Sequence, residues 1–378
     1  MPWKVLPMNE VRIAFVHQVL SLKSPLAEAC QKFGISRKTG YKWLERYRED
    51  PEKPLADRSR QPRSSPRQTS PEVEAQVLAV RREYGWGPRK IHAHLAKQGV
   101  SLPSMRTVGS ILRRHHCVRS QPTAEPPAVQ FFERSRPNEL WQCDHKGPLE
   151  VARQKVHPFT ILDDHSRFLL GLRTCLDVNM RSAWNILWEV FGEFGLPDSL
   201  LCDNAFGTKF EVPRTLSWFD SQLLRLDIGV IHGRPYHPQT QGKVERFHGT
   251  LEREVWPFVR RDSLEHFQAD VDRWRREVYN VLRPHEALED SPPLARYQVS
   301  RRPRPASVPE VEYPSGSVTR KVGSSGDVRY GGYRLLAGRG LVGQFVRIEE
   351  RDHEIALFYA RRQIRAVARD QLKVDTML

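Results

Sequence analysis

The sequence predicts a multidomain chain with two small all-α units, an α/β unit with a mixed sheet, and a small β-barrel, in that order. Its 378 residues exceed the size of one ordinary domain. Stretches rich in proline at residues 51–70 and 119–137 interrupt the apolar pattern, as linkers do. Apolar residues recur with a helical period around the first linker and alternate near the C terminus. The predicted segments are 1–50, 51–70, 71–118, 119–137, 138–300 and 301–378.

Charge is unevenly divided along the chain. Residues 1–137 hold 25 Lys and Arg against 12 Asp and Glu, a net charge of +13. Residues 138–300 hold 20 against 24, a net of −4, and residues 301–378 hold 15 against 9, a net of +6. Basic flanks around an acidic middle fit phosphate-binding arms around a core that gathers cations, although an ordinary solvated surface gives the same totals.

Neither a membrane protein nor a disulfide-stapled one is predicted. No stretch approaches the run of about 20 apolar residues that a spanning helix needs. The first residues lack the apolar region of a secretory signal, so we expect an intracellular protein. The five cysteines are widely spaced and form no Cys-x-x-Cys pair, which argues against a disulfide framework and against a zinc site.

The first unit follows the plan of a helix-turn-helix domain. Residues 9–20 carry an apolar stripe, Ser24 and Pro25 resemble the start of a second helix, and Gly34 suits a tight turn. A third helix over 36–48 has basic and aromatic residues near its N-terminal end, where recognition helices contact bases. The candidate DNA contacts on it are Arg37, Lys38, Tyr41 and Lys42.

The first linker alternates arginine with proline. Such a stretch cannot pack a core, so it either follows a phosphate backbone or minor groove or serves only as a spacer, and the composition leaves both open. The candidate DNA contacts in it are Arg58, Arg60 and Arg63.

The second unit, residues 71–118, repeats the helical plan. Pro71 opens one helix, Pro88 opens another after a Gly-Trp-Gly break, and a third passes through Val108 and Ile111. Two such units on a basic linker would contact a longer DNA site than one. The candidate DNA contacts here are Arg89, Lys90 and Arg106.

Residues 138–300 combine strand and helix patterns. Two apolar runs around a turn at 164–166 predict neighbouring strands, and helices then alternate with short strands, which indicates an α/β domain with a mixed sheet. Long helices are predicted from Gln239 to about Arg260, with an interruption near Pro257, and from Leu264 to Val281. In residues 301–378, Gly-rich turns between short alternating strands, among them 330–335, predict a small antiparallel barrel.

Three carboxylates form the candidate catalytic site: Asp144, Asp203 and Glu245. The two aspartates follow apolar runs, as at strand ends, and the glutamate lies on a predicted helix. Together they would hold two Mg²⁺ ions, for which we expect Mn²⁺ to substitute, because Mg²⁺ prefers few carboxylate ligands and open positions for phosphate. Asp163 and Asp164 compete for the place of Asp144, although the turn-like sequence after them favours Asp144.

The segment 232–248 leads into the helix that bears Glu245 and is rich in groups that bind phosphate or stack on bases. Lys243 and Arg246 flank the glutamate and project to different sides of the helix. We predict that these two cations contact DNA rather than metal.

The ordered set of motifs resembles the bacterial insertion-sequence transposases of the DDE type, which have a retroviral-integrase-like core. The resemblance implies a ribonuclease-H-like catalytic fold, Mg²⁺-dependent strand cleavage followed by strand transfer, and binding of terminal inverted repeats. The motifs are Trp141-Gln-Cys-Asp144, Leu162-Asp-Asp-His-Ser-Arg167, Cys202-Asp-Asn204, the stretch from Gly233 to His248, and, in the helical units, the stretches 34–43 and 86–91.

Two departures from the family pattern keep other hypotheses open. Ala205 stands where the family usually has glycine, and Asp203 and Glu245 lie 42 positions apart, which is wider than is usual in integrases. An inactive sequence-specific DNA-binding regulator is therefore one alternative, and a structure-specific nuclease is another. As partners we expect double-stranded DNA, namely element ends and target, and at least one more copy of the chain. The expected location is the bacterial cytoplasm, at the nucleoid.

Overall fold

The computed structural model of the chain comprises two compact units, residues 1–68 and residues 69–378. None of the described helices is both long enough and apolar enough to cross a membrane. The finer six-segment division remains a prediction. The residues that the structure describes are 8–21, 24–52, 55–57, 68–118, 133–202, 216–232 and 242–372.

The first unit is helical, as predicted. Its helices enclose an apolar core that includes Phe15, Val16 and Trp43, each no more than 4% exposed. Gly34 has a φ of 64°, which supplies the turn before the third helix, and Ser36 caps that helix by accepting a hydrogen bond from the Thr39 backbone. The helices are α1 (Met8–Leu20), α2 (Leu26–Lys32) and α3 (Arg37–Glu49).

The second unit begins with three more helices, called here the second helical module (residues 69–118). Trp86, from the break between the first two of them, is fully buried in the module's core beside Ile91 and Ile111. The break therefore contributes a core side chain as well as a turn. The helices are α4 (Pro71–Tyr84), α5 (Pro88–Lys97) and α6 (Met105–Arg114).

The region of residues 138–300, called here the central domain, contains the predicted mixed sheet. The first, third and fourth strands pair antiparallel, whereas the fifth is parallel to the first and the sixth is parallel to the fifth. The strands are β1 (Trp141–His145), β2 (Leu149–Val151), β3 (Gln154–Asp163), β4 (Leu169–Cys175), β5 (Ser199–Cys202) and β6 (Gly229–His232). The helices are α7 (Met180–Phe194), α8 (Trp218–Arg225), α9 (Gly242–Glu254) and α10 (Leu264–Arg273).

Each face of this sheet is covered by a different pair of helices. Alternation along β1 sends Trp141 and Cys143 into the core beneath α7 and α8. On the opposite face, Leu162 and Leu172 pack against α9 and α10. Residues of β1 at even positions therefore face α9.

Of the two long predicted helices, the first is interrupted near Pro257 as expected, and the second changes its geometry before its predicted end. The ninth helix ends at Glu254, shortly before Pro257, which lacks a backbone donor and disfavours helical geometry in the residue before it. The tenth ends at Arg273 and continues as a π-helical segment, Trp274–Tyr279.

The C-terminal region is all-β, as predicted, but its described strands form an open sheet. Of its six described strands, the last three and the first form a four-stranded sheet, in the order sixth, fifth, fourth and first. No ladder between the outer strands of this sheet is found in the described residues, so a closed barrel remains a prediction. The stretch 330–335 is a hairpin turn rather than one strand, because Gly331 and Gly332 both have positive φ, 58° and 75°. The strands are β7 (Val318–Lys321), β8 (Asp327–Tyr330), β9 (Tyr333–Leu336), β10 (Phe345–Glu350), β11 (Glu354–Tyr359) and β12 (Arg362–Ala368).

Candidate active site

Asp144 lies near the end of the central strand β1 and is half-buried. In the antiparallel ladder it is directly opposite Thr160 of β3. Residues opposite each other in such a ladder project to the same face of the sheet. Both side chains therefore project to the face that α9 covers.

Three contacts show how α9 lies along that face. His248 Nε2 is 3.1 Å from Thr160 Oγ1, in a buried pair. One turn towards the C terminus, Glu252 forms a 2.7 Å ion pair with Lys146, which follows β1. At the other end of the helix, the Lys243 ammonium donates to the carboxylate that follows β3, that of Asp164, at 2.5 Å. The helix therefore runs parallel to β1: its N-terminal end lies near the start of the strand and its C-terminal end near the residue that follows the strand.

This arrangement puts His248 at the level of Asp144 and the α9 turn that bears Glu245 next to it, towards the start of β1. Glu245 is exposed and lies between Lys243 and His248, one helical turn before the histidine that contacts the register partner of Asp144. Three residues of helix correspond to about 4.5 Å along the axis. The structure thus brings one predicted aspartate and the helix of the predicted glutamate to one face of the sheet.

Asp203 lies outside the described residues. The residue before it, Cys202, is described: it is in parallel register with Cys143, the residue before Asp144. Asp203 therefore remains a prediction that rests on the sequence.

The two competing aspartates are engaged in structural hydrogen bonds. Asp163 is fully buried and accepts hydrogen bonds from the backbone of Asn138 and from both the backbone and the hydroxyl of Ser166. Burial raises its pKa above the usual value. Asp164 is also fully buried and accepts from Gln142 Nε2 at 2.7 Å and from Lys243. These bonds close the turn after β3, which supports Asp144 over both.

The sequence analysis missed a pair of titratable groups beside β5. His232 Nε2 lies 2.8 Å from a carboxylate oxygen of the buried Asp220, and its Nδ1 lies 3.6 Å from Cys202 Sγ. Burial opposes a charge on His232, but its hydrogen bonds to Asp220 and Cys202 outweigh this and raise its pKa to about 9. The capping box that Asp220 forms with Ser217 was readable as Ser-x-x-Asp, whereas the long-range pairing with His232 was not.

Glu254, at the end of α9, was also not predicted as a functional residue. It occupies the apolar stripe of the helix and is buried, and it accepts hydrogen bonds from Trp86, Lys90 and Arg283. A charged residue at an apolar position of a helix is a signal that could have revealed it, because such a group needs buried partners.

The predicted DNA contacts differ in what surrounds them. All four of the predicted DNA contacts on α3 are exposed, and so is Arg106 on α6. Arg89 instead forms ion pairs with Glu286 and Asp290, at 2.5 and 3.0 Å. The residues on α3 are Arg37, Lys38, Tyr41 and Lys42.

The remaining predicted cations fall into three groups. Lys90 pairs with Glu254, and Lys243 pairs with Asp164, so both are already engaged with carboxylates. Arg246 is exposed on α9. The linker residues Arg58, Arg60 and Arg63 lie outside the described residues.

Acid is expected to destabilise the fold through His248. Burial lowers its pKa to about 4, whereas in the unfolded chain it titrates near 6.5. The unfolded state therefore binds the extra proton between these values, and stability falls as the pH drops from 6.5 towards 4. Between pH 8 and pH 5 this should cost about 2 kcal/mol.

Urea unfolding of wild-type protein and of His248→Gln at both pH values would measure this cost. The glutamine retains a group that can hydrogen-bond Thr160 but does not titrate, so the pH effect should shrink by about 2 kcal/mol. His353→Gln, at an exposed position, should leave it unchanged. An unchanged pH effect in His248→Gln would contradict the assignment.

The described residues contain no complete metal site, since no three His, Cys, Asp or Glu side chains among them are grouped to hold an ion. They contribute two candidate donors, the half-buried carboxylate of Asp144 and the exposed carboxylate of Glu245 on the helix that covers the same face. Both are hard oxygen ligands. That donor chemistry fits Mg²⁺ or Mn²⁺.

Family models match most of the chain in separate segments. A helix-turn-helix domain matches residues 11–63, and a homeodomain-like domain matches residues 39–112. Two integrase core domain models match residues 134–238 and 226–293.

One curated relative is the transposase for transposon Tn552 from Staphylococcus aureus. It is 24% identical over 396 aligned residues, which cover 92% of this chain and 79% of the relative.

Among solved structures, a chain of the simian T-cell lymphotropic virus intasome, in complex with PP2A regulatory subunit B56 gamma, is 18% identical with a TM-score of 0.37. The match covers 78% of this chain and 99% of that one. The HTLV-2 integrase catalytic core domain in complex with magnesium, in its trimeric form, is 15% identical with a TM-score of 0.31. It covers 43% of this chain and 99% of that one.

Proposed function

Because this chain belongs to the transposases that join an N-terminal helix-turn-helix region to an integrase-like catalytic core, we propose that it is an active DNA transposase. It binds the terminal inverted repeats of its element, cuts a strand at the repeat end in a metal-dependent reaction, and joins that end to target DNA. The observation that carries the proposal is the position of α9, because its contact between His248 and Thr160 puts the helix that bears Glu245 on the face of the sheet to which Asp144 projects.

Asp203 completes the site in this proposal. It follows an apolar run in the sequence, and it comes directly after Cys202, which is in parallel register with Cys143, the residue before Asp144. We propose Asp203 as the third carboxylate on these grounds.

Asp144, Asp203 and Glu245 would hold the metal. An integrase-type core implies a divalent ion, and we propose two Mg²⁺ ions, with Mn²⁺ as a substitute. When bound, the ions would supply Lewis-acid stabilisation of the phosphate and an activated water or 3′-hydroxyl. The chain's own contribution is to hold the carboxylates on a rigid strand and helix, since Asp163 and Asp164 anchor the adjoining turn.

The helical units supply DNA binding in this proposal. The exposed basic residues of α3, together with Arg106, form the phosphate- and base-contacting surfaces. Cutting and joining two element ends requires that both be held at once, so the active species is at least a dimer. Such a protein works where bacterial DNA lies, in the cytoplasm at the nucleoid.

Arg106 and Arg89 are expected to differ in their effect on DNA binding. Removal of one phosphate contact lowers the slope of log affinity against log salt by about 1. We expect this change for Arg106→Ala, whereas Arg89→Ala should leave the slope unchanged because its guanidinium is paired with Asp290 and Glu286. Fluorescence anisotropy with an element-end duplex at several salt concentrations would measure both variants. Equal slopes for the two would contradict the distinction.

Removal of the metal is expected to abolish cutting while DNA binding persists. The test is a labelled duplex of the DNA that flanks this gene at its inverted-repeat end, incubated with the protein in Mg²⁺, Mn²⁺ or EDTA. We expect a nick at the repeat end in either metal and none in EDTA, because the carboxylates alone cannot activate water. Transfer of that 3′-hydroxyl to a second duplex would show strand transfer.

Other outcomes would replace the proposal. Tight sequence-specific binding without a cut in either metal, with paired ends supplied, would establish the inactive regulator instead. Equal binding and cutting of random-sequence junction DNA would establish the structure-specific nuclease, because such enzymes are guided by shape rather than by base sequence.

A further inference from the structure

The buried carboxylate of Glu254 joins two parts of the second unit. It accepts a hydrogen bond from Trp86 Nε1 at 3.1 Å and from Lys90 Nζ at 2.7 Å, both in the second helical module. From the central domain, Arg283 donates to it through Nε at 2.7 Å and through a terminal nitrogen at 2.9 Å. The Glu254 side chain is only 4% exposed, and that of Arg283 only 7%. We call these four residues the Glu254 node.

Further contacts surround the node. Arg89 pairs with Glu286 and Asp290, and Lys97 Nζ donates to the Asp290 carbonyl at 2.8 Å. Val278, from the π-helical segment, packs against the apolar core of the module. Both ends of α5 therefore contact the central domain, and the two cations at its N-terminal end, Arg89 and Lys90, are engaged with protein carboxylates.

The same docking leaves α6 accessible. Met105, Arg106, Ser110 and Arg113 are exposed on it, and its N-terminal end is capped by Ser104. In a helix-turn-helix unit the second helix of the pair contacts bases. Within this module, α6 is therefore the helix available to the major groove.

We infer that the Glu254 node holds the second helical module at a fixed distance from Glu245. It thereby determines which phosphate is cut relative to the DNA sequence that α6 contacts, and we call this the ruler role of the node. This inference rests on the proposed function. Glu245 and Glu254 lie nine positions apart on one uninterrupted helix, α9, and this separation corresponds to about 14 Å of its axis. A stiff helix clamped at one end transmits the position of the module to the other.

In this role Glu254 is a positioning residue. It lies in the apolar stripe of α9, turned towards the core, whereas Glu245 is exposed. A merely structural role for the node predicts a loss of stability and no change in where the DNA is cut. The position of the cut, rather than its rate, is therefore the readout that separates the two roles.

The first arm of the test needs no DNA. The double variant Lys90→Met/Trp86→Phe removes both module-side donors and retains the bond between Arg283 and Glu254, so the central domain keeps its buried pair. Spin labels at Ser110→Cys on α6 and Glu265→Cys on α10, both exposed positions, report the module-to-core distance once Cys117 is changed to Ser. We expect a narrow distance distribution in the otherwise unmodified chain and one at least about twofold wider in the double variant, because the variant removes the two hydrogen bonds that hold the module to Glu254.

The second arm maps nicks at single-nucleotide resolution on the element-end duplex in Mg²⁺. We expect one dominant cut for the wild type and cuts spread over neighbouring phosphates for the double variant. Glu252→Gln is the matched control, since Glu252 lies on the same helix but pairs with Lys146 at an exposed position. It should cut at the wild-type position.

Each outcome bears on the inference. A wider distance distribution together with dispersed cuts supports the ruler role. An unchanged distance distribution in a folded double variant would show that the node does not hold the module in place, and this overturns the inference. A wider distribution with one unchanged cut overturns the ruler role while the proposed function stands. A wild-type chain that cuts no end in either metal overturns the proposed function and the ruler role with it, whereas the distance measurement still tests whether the node holds the module in place.

Discussion

Asp144→Asn is expected to reduce cleavage of the element end by about 10³-fold or more, because the lost carboxylate contributes several kcal/mol of charge stabilisation and each 1.4 kcal/mol is tenfold in rate. Asparagine retains the size of the side chain and removes only its charge. The half-buried position of Asp144 near the end of β1 should tolerate this change, so folding and DNA binding should persist.

The measurement is the rate of nicking in Mg²⁺, with binding of the same duplex measured in EDTA. Asp177→Asn is the matched control: the substitution is identical, the residue lies in the same domain, and its position is exposed. It should cut at the wild-type rate. If Asp144→Asn cuts within tenfold of the wild type while it binds DNA normally, Asp144 is not a metal ligand.

Glu254→Gln is expected to lower the free energy of unfolding of the second unit by about 3–5 kcal/mol, the cost of breaking a buried ion pair by removing one partner. The substitution leaves the charges of Arg283 and Lys90 buried without their carboxylate. Burial alone would raise the pKa of Glu254, but the hydrogen bonds and positive charges of Arg283 and Lys90 together outweigh it and hold the pKa below the usual value. The stabilisation is therefore present at neutral pH and is lost as the carboxylate is protonated.

Urea unfolding followed by tryptophan fluorescence would measure this loss. Glu252→Gln breaks an exposed pair on the same helix and should cost no more than about 0.5 kcal/mol. Arg283→Gln alone and combined with Glu254→Gln completes a double-mutant cycle. A double variant that loses the full sum of the two single costs would mean that the pair is not coupled, contrary to the geometry.

Local features of the fold were predictable from the sequence. The Ser36 cap, the turn at Gly34 and the alternation along β1 each depend on residues within a few positions of one another. Capping, turn geometry and periodicity are local interactions, so their signals survive in a sequence without its tertiary context. The helix and strand types of the central domain, and the interruption near Pro257, followed for the same reason, although the π-helical segment was not predicted.

The candidate site was only partly predictable. The sequence identified the carboxylate at 144 as one that follows an apolar run, yet Asp163 and Asp164 follow a run of the same kind. The tertiary structure distinguishes them by burial: Asp163 and Asp164 are fully buried among donors that include Gln142 and Lys243, whereas Asp144 is half-buried on the face that α9 covers. Lys243 lies 79 positions from its partner Asp164, and nothing local to either residue indicates the pairing.

By itself, the sequence determined which residue types are present to bind metal and phosphate, and in which helices and strands they lie, because both follow from composition and short-range periodicity. Only the tertiary structure decided which of those charges are already paired. Arg89 and Lys90 were predicted from a basic cluster to contact DNA, and the fold pairs them with carboxylates about 160 to 200 positions away. Arg106 is exposed on α6. The difference depends on how α5 docks against α9, and docking is set by the burial of whole surfaces rather than by any local pattern.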